Sequence, residues 1–555
     1  MPCSILQHGW VGRDVDKRKA LLAAHNGATV EVMQAAEEPV VATTAGRVRG
    51  VVDSRTGVRT WRGVPYGATT AGTGRFRAPR PVEPWAGTRD ATAFSPPAMQ
   101  GFFGWTDNVI GTEDCLTLDI VRPNNDEALP VVVYFHGGPF VTGSSHEKVL
   151  QGHYLADTTD IVYISVNFRL GVFGYLDFRT LGGDCVANPA IMDQILALRW
   201  VHDNVARFGG DPGRVTIMGE SAGGAGVIHL MCAPAARGLF HRAIAQSPPV
   251  ASVHSRVQAA MWVRELLTDL GLPPETTLED LRAADAEALV RVGQSMLLNR
   301  KELVQFNTSF MPTVDGTTLP AHPIDVFQEG EQAAVPLIIG TNSDEASFAK
   351  ALYQTNKSRL RAARRALSVY DPENADAVLA TYDHVDGRRK FAALIADAVF
   401  WAPSVMLATE HRRKAPTWMY RFDYASTTMR RLGLGAMHTS ELTAVFGDAK
   451  ATRAAKLDPF PQHAGFKDVS AAMQYHWGSF FHNAHPGEKW PVYGFRSDTE
   501  PGRATAVFSD SAYVEYDPKA AQRRAWEGFD MREWGMHRQD LVDSLAQYLG
   551  ANAPD

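Results

Sequence analysis

RVTIMGESAGGAGVIHL, residues 214–230, is the stretch on which the fold turns. Its apolar run, Val215 to Met218, reads as a buried strand, and Ala222 to Leu230 reads as a helix. Between them stands Gly219-Glu220-Ser221-Ala222-Gly223, a G-x-S-x-G. Glycines on both sides permit a tight strand-to-helix turn that holds the serine Oγ proud of a sheet. The helix N-terminus behind it favours developing negative charge. The bare pattern is weak, because Gly and Ser are common, and a glycine-rich turn with an idle serine is the bland alternative. The strand before and the helix after favour a nucleophile.

Outward from this stretch the same rhythm repeats. VVVYF (131–135), IVYISVN (161–167), AIAQS (243–247), VPLIIGTN (335–342) and TWMYRFDY (417–424) read as strands. AIMDQILALRWVHDNVARFGG (190–210) reads as a helix, with Ile191, Ile195, Leu198 and Val201 at helical spacing. Strands alternating with helices predict an α/β protein with a mainly parallel sheet covered on both faces. Residues of about 251–310 and 350–410 are helix-rich in composition and read as insertions over the sheet. Near the start, VVATTAGRVRGVV and VRTWRGVPYG read as short strands around glycine turns. Residues 1–38 mix both charges without strand alternation and read as an N-terminal extension, with KRKALLAAHNG as a short helix. Residues 39–555 read as one catalytic domain.

Composition excludes several classes. Among 555 residues, 45% are hydrophobic and 21% charged, an ordinary globular balance. The net charge of −6, with no long basic tract, argues against nucleic acid as a partner. The four cysteines, Cys3, Cys115, Cys185 and Cys232, form no C-x-x-C pair, so no metal, redox centre or disulfide framework is expected. Sparse cysteine and the lack of a basic head followed by an apolar stretch suggest a cytoplasmic protein. No run of about 18 apolar residues suggests a membrane span. Asn307-Thr308-Ser309 and Asn356-Lys357-Ser358 match the glycosylation pattern and read as chance matches.

A serine at its free pKa is a poor nucleophile and needs a base, which in turn needs an orienting acid. On this type of sheet the chain order is Ser, then Asp or Glu, then His. VPLIIGTNSDEASF offers Asp344 and Glu345 after a strand, and spacing alone leaves both open. LGLGAMHTSELTAVFG offers His438 among small residues. The later His476, His482 and His485 read as surface residues of a helix or loop.

At these residues the chain resembles the type-B carboxylesterases, the group of cholinesterases and bacterial para-nitrobenzyl esterases. TWRGVPYG resembles F-R-G-I-P-Y-A, and TEDCLTLDIVRP resembles S-E-D-C-L-x-L-N-I-x-x-P. SVNFRLGVFGYL, MDQILALRWVHDNVARFGGDPGRVTIMGESAGG, MPTVDGTTLP and GTNSDEASF also match, and the resemblance runs from about residue 40 to 500. It implies an α/β-hydrolase fold with helical insertions over the active site, and serine hydrolysis of a carboxylic ester without cofactor or metal. Its triad falls on Ser221, Glu345 and His438, which selects Glu345 over Asp344. The expected partner is a small-molecule ester, or an amide or carbamate attacked by the same site. A catalytically inactive interaction protein is the reading from another class, and the retained triad counts against it.

The departures are informative. The family's glycine after the histidine is Thr439 here. FSPPAMQG lacks the cysteine that pairs with the E-D-C-L cysteine in cholinesterases, so Cys115 is expected as a free buried thiol. Trp105 stands ten residues before Cys115, where cholinesterases place a cation-binding tryptophan, and an aromatic wall is the plainer reading. Phe102, Phe103, Trp105, Phe140, Phe400 and Trp401 are candidate pocket aromatics, with Glu220 beside the nucleophile, and suggest a bulky apolar or aromatic substrate. The oxyanion donors of the resemblance fall on Gly138, Pro139 and Ala222, and proline has no N–H to give. Three readings stand: a shifted loop in which Gly137 or a water donates, two donors sufficing for a reactive substrate, or vestigial catalysis. If a donor is missing, Pro139→Gly raises turnover of p-nitrophenyl acetate. Unchanged or lower turnover in a stable variant sinks that idea and favours the shifted loop.

Overall fold

The computed structural model describes residues 38–532, apart from residues 55, 102–107, 298–307, 348–363, 365–366, 369–370, 386, 452–463 and 495–501. Residues 1–37 of the extension, with Phe102, Phe103, Trp105, Asn307 and Asn356, lie outside the described residues. Runs rich in β-branched and aromatic residues, closed by Gly, Pro or Asn, make the strands. Those of the main sheet are, in chain order, β1 Val51–Val52, β2 Arg59–Pro65, β3 Thr117–Arg122, β4 Leu129–Phe135, β5 Val162–Val166 and β6 Gly210–Glu220. They continue as β7 Arg242–Gln246, β8 Leu337–Asn342, β9 Thr417–Phe422, β10 Ala504–Phe508 and β11 Ala512–Tyr516. All join one sheet in the order β11-β10-β9-β8-β7-β6-β4-β5-β3-β2-β1. Neighbours from β10 through β5 run parallel, and the outer strands pair antiparallel.

Residue alternation along β4 splits the core in two, as side chains on a strand point to opposite faces. Val131, Val133 and Phe135 join the apolar cluster on one face, and Val132 and Tyr134 join the cluster on the other. The first face is covered by α1 Pro189–Asn204, α2 Ala222–Cys232, α3 Arg256–Asp269, α4 Ala286–Leu297, α5 Gly387–Ala396 and α6 Ala402–His411. The second is covered by α7 Ser440–Phe446 and α8 Ala464–Asn483, whose Met473, Trp477, Phe480 and Phe481 are fully buried. Pro189 opens α1 at the first helical position, where its missing N–H costs nothing. A 3₁₀ turn replaces the last residues of the predicted helix, and Gly209 ends it in the left-handed region.

Two expectations need correction. His476 is buried, not a surface residue: α8 lies against the sheet, and His476 Nδ1–H donates to Pro486 O at 2.5 Å. Burial pushes its imidazole down to about 4. The chain also does contain a helix of membrane-span character, Arg389–His411, with a mean hydropathy of 1.8. Its most apolar window is 78% buried inside the protein, so core packing accounts for the composition. Along this helix α5 and α6 are joined by a π turn, Asp397–Trp401. Pro403 explains it: proline cannot donate to the carbonyl four residues back and crowds it, and the extra residue of a π turn opens that space. The three described cysteines, Cys115, Cys185 and Cys232, are free, and Cys115 is buried.

One ion pair ties the loop after β5 to α1. Arg169 Nη2 and Nε donate to Asp193 at 2.6 and 2.8 Å, both side chains being fully buried. Arg169 also donates to the carbonyls of Arg77 and Pro189, so its fork is nearly saturated. Asp193→Leu leaves this guanidinium buried and unpaired, and is expected to cost about 3–5 kcal/mol of stability. A guanidinium-chloride unfolding midpoint within error of the wild type would refute that.

Candidate active site

The spatial order of the strands reverses at β4. The chain steps from β4 to β5 on one side and to β6 on the other, which opens a crevice at the C-terminal strand ends, where ligands of open α/β sheets bind. The register pairs Phe135 with Gly219, so the loop from His136 and the turn at Ser221 leave the sheet level with each other. Ser221 sits at φ 56°, ψ −125°, in strained backbone for a residue with a side chain. Its N–H donates to Gln246 O at 2.9 Å, which anchors the turn to β7. Gly219 and Gly223 are required by close approach. A Cβ on Gly223 would stand 2.0 Å from Phe135 O, and one on Gly219 2.4 Å from Gly223 O.

The structure brings together the three residues of the sequence reading. Ser221 Oγ is 2.9 Å from His438 Nε2, and His438 Nδ1 is 2.5 Å from Glu345 Oε2. The geometry separates Asp344 from Glu345. Asp344 pins the histidine loop through two backbone bonds, its N–H to Ala436 O and its carboxylate from Ala436 N–H. It borders an outer cavity of about 360 Å³ with Arg389 and Arg430. Glu345 faces the imidazole and is 1% exposed. Its second oxygen accepts from Ser247 Oγ at 2.5 Å and Asn342 N–H at 2.7 Å. Thr439, next to His438, has φ 73°, a conformation that disfavours a β-branched residue. The strain stored there is about 1–3 kcal/mol.

Ser247 and a further buried carboxylate were not singled out from the sequence. Glu441 is buried and accepts from Asn342 Nδ2 at 2.6 Å. Burial, then the charge of Glu345, pushes its carboxyl up to about 7. Its signal was the acidic residue three places after His438. Ser247 had no local signal beyond ending a strand. Glu220 is 3% exposed, with Oε1 3.3 Å from His438 Nε2. Burial raises Glu220 well above the usual carboxylate range, while the imidazole pulls it down. Burial lowers the His438 imidazole, but the charges of Glu220 and Glu345 outweigh it and lift it to about 10. The cluster shares its protons: a proton on Glu220 removes one of the three charges, those of Glu220, Glu345 and Glu441, that raise the imidazole.

The loop after β4 is clasped at both ends. His136 stacks on Phe168 with ring centroids 4.4 Å apart. At the far end Gln100 holds Gly143 by two bonds, its Nε2 to the carbonyl and its Oε1 from the N–H. Gly138 O accepts from Val141 N–H and Thr142 N–H, and exposed Pro139 occupies the turn position its fixed φ suits. The N–H groups of Gly137, Gly138 and Ala222 have no acceptor among the described residues. A Cβ on Gly137 would lie 3.2 Å from Ser221 Cβ, so this backbone abuts the serine.

The described pocket candidates separate. Phe400 lies on the His438 ring, centroids 4.7 Å apart. Phe140 is buried against Tyr175, and Trp401 is buried beneath Lys519 Nζ, 4.9 Å from the ring centroid. No group of three potential metal ligands exists among the described residues.

A base must be unprotonated, so with His438 in that role activity is expected to rise with pH through the pKa of the imidazole. Because the net shift of His438 is upward, the acid limb of kcat/KM is expected above the ordinary imidazole value of about 6.5. Glu220→Gln takes away a raising charge and moves that limb to lower pH. A pH–rate profile with an unmoved limb would mean that Glu220 is neutral throughout the range.

The carboxylesterase family model matches residues 37–505. The para-nitrobenzyl esterase of Bacillus subtilis is 32% identical over 87% of this chain and 98% of its own length. The phenmedipham hydrolase of Pseudarthrobacter oxydans is 33% identical over 74% of this chain and 83% of its own. Among solved structures, a para-nitrobenzyl esterase aligns with a TM-score of 0.79 at 30% identity, over 88% of this chain and 99% of that one. A strand–turn–helix serine on a mostly parallel sheet and these matches agree: the chain belongs to the carboxylesterase family, with the α/β-hydrolase fold, and is a hydrolase of carboxylic esters.

Proposed function

We propose that the enzyme works through an acyl-enzyme on Ser221 and takes bulky apolar or aromatic esters. The observation that carries this reading is the unbroken line from Ser221 Oγ through His438 to Glu345. His438 Nε2 takes the serine proton as Oγ bonds to the ester carbonyl carbon, and the carbonyl electron pair moves onto oxygen. Glu345, fixed by Ser247 and Asn342, steadies the imidazolium. Gly138 and Ala222 N–H groups donate to the oxyanion, and Gly137, whose backbone abuts the serine, supplies the place that Pro139 leaves empty. Return of the electron pair expels the alkoxide, which takes the proton from His438. Water then gives a proton to His438, attacks the acyl carbon and releases the acid with Ser221 restored.

Apolar substrates are supported by Phe400 beside the base. A second reading, carbamate hydrolysis by the same groups, is supported by the likeness to a hydrolase of phenmedipham, a carbamate. Ser221→Ala is expected to lower turnover of p-nitrophenyl acetate by about 10⁴-fold or more and to abolish labelling by a fluorophosphonate probe. Wild-type enzyme that resists the probe would end the acyl-enzyme reading. Matched p-nitrophenyl ester and aryl carbamate series, compared by kcat/KM, decide between the substrate classes.

A further inference from the structure

The ring that lies on the base is placed by groups far from the chemistry. Phe400 sits in the π turn between α5 and α6. Contacts at both of its ends fix that turn. At its first residue, the Asp397 carboxylate is 1% exposed and accepts from Lys519 Nζ at 2.6 Å and Tyr382 OH at 2.7 Å. Trp526 Nε1–H donates in turn to Tyr382 OH at 2.8 Å. Lys519 precedes a helix, α9 Ala520–Glu527, so the clamp joins the π turn to a late part of the chain. At the other end, Ser404 Oγ donates to Phe400 O at 2.6 Å, and Pro403 keeps the helix from closing back to the α register. Lys519 Nζ also lies over Trp401, which holds the residue next to Phe400 on the opposite side.

We propose that Asp397 is a positioning residue for the hydrolytic reaction: clamped by Lys519 and Tyr382, it sets the π turn so that Phe400 packs on one face of His438 and aligns the imidazole between Ser221 and Glu345. The proposal rests on His438 being the base. A helix that loses its anchor at Asp397 rotates the π turn, and a ring 4.7 Å from the imidazole moves with it. Small misalignment of a base is costly to turnover even when substrate binding is untouched. The ring also excludes water from one face of the imidazole, so its displacement makes the protonated form easier to hold.

The test is a double-mutant cycle read on kcat, KM and the pH profile with p-nitrophenyl acetate. Asp397→Asn is expected to lower kcat by about 10-fold with KM within about twofold, and to move the acid limb to higher pH. In a Phe400→Leu background the same substitution is expected to lower kcat by less than about twofold, because the group it acts through is gone. Equal losses in both backgrounds overturn the proposal, as does an unmoved pH profile with a loss that follows the folded fraction. Should Asp397→Asn fail to fold, Tyr382→Phe, which removes one hydroxyl and no charge, reads the same coupling in both backgrounds. Wild-type turnover in His438→Gln overturns the base assignment and this proposal together; an inactive His438→Gln leaves the cycle as the judge of Asp397 alone.

Discussion

The contact on which the site depends is between two backbones. Phe135 and Gly219 are register partners at the C-terminal ends of β4 and β6, and the Phe135 carbonyl lies against Gly223 so closely that no side chain fits between them. That approach folds α2 back across the sheet, brings Ser221 into its strained conformation and lays Gly137 beside it. The rest of the machinery is hung from neighbouring strand ends: Ser247 from β7, Asn342 and Glu345 from β8. A hydrolase built this way needs little chemistry from any single element. It needs several strand ends to finish at one level, which a parallel sheet with a switch in strand order supplies.

The electrostatic design is crowded. Three buried carboxyls, Glu220, Glu345 and Glu441, stand around one imidazole. Burial and neighbouring negative charge oppose the ionisation of Glu220 and Glu441. The hydrogen bonds are distributed unequally: Glu345 has two short donors besides the histidine, Glu441 is held by Asn342 at 2.6 Å and by Gln246 at 3.5 Å, and Glu220 Oε1 has no hydrogen-bond partner. The carboxylate with the best donors is the one aligned with Nδ1 of the base. The other two are where a proton is most easily kept.

What the sequence disclosed was whatever lay within one turn or strand. The Gly219–Gly223 elbow and the apolar runs of β4 to β9 were readable because strand, turn and helix each leave a local pattern. Asp344 and Glu345 are adjacent and chemically alike, so the residues alone left them open; the family resemblance favoured Glu345, and in the structure Glu345 meets the His438 imidazole while Asp344 meets the Ala436 backbone. Ser247 and Gln100 were not readable, because each meets its partner across a long stretch of chain. The strand β11 is half-exposed at an edge and lacks a clear apolar face. The helix α8 does carry a helical period in Phe466, Val469, Met473, Trp477 and Phe480, a signal hidden by the histidines among them. The π turn was hidden for a different reason: Pro403 reads as a kink, and only packing decides where the extra residue goes.

The helix that holds this turn has a consequence for how the protein is lost rather than how it works. Among the described residues, Arg389–His411 has the hydropathy of a membrane span, and it packs on helices and strands distant in sequence. An opening of the C-terminal part of the fold that broke the Lys519 and Trp526 contacts would bare an apolar helix in water. Such a segment seeks other apolar surfaces, including its own copies, faster than a long chain refolds around it. Loss by that route would follow the rate at which the helix is uncovered, a kinetic quantity distinct from the equilibrium stability of the sheet.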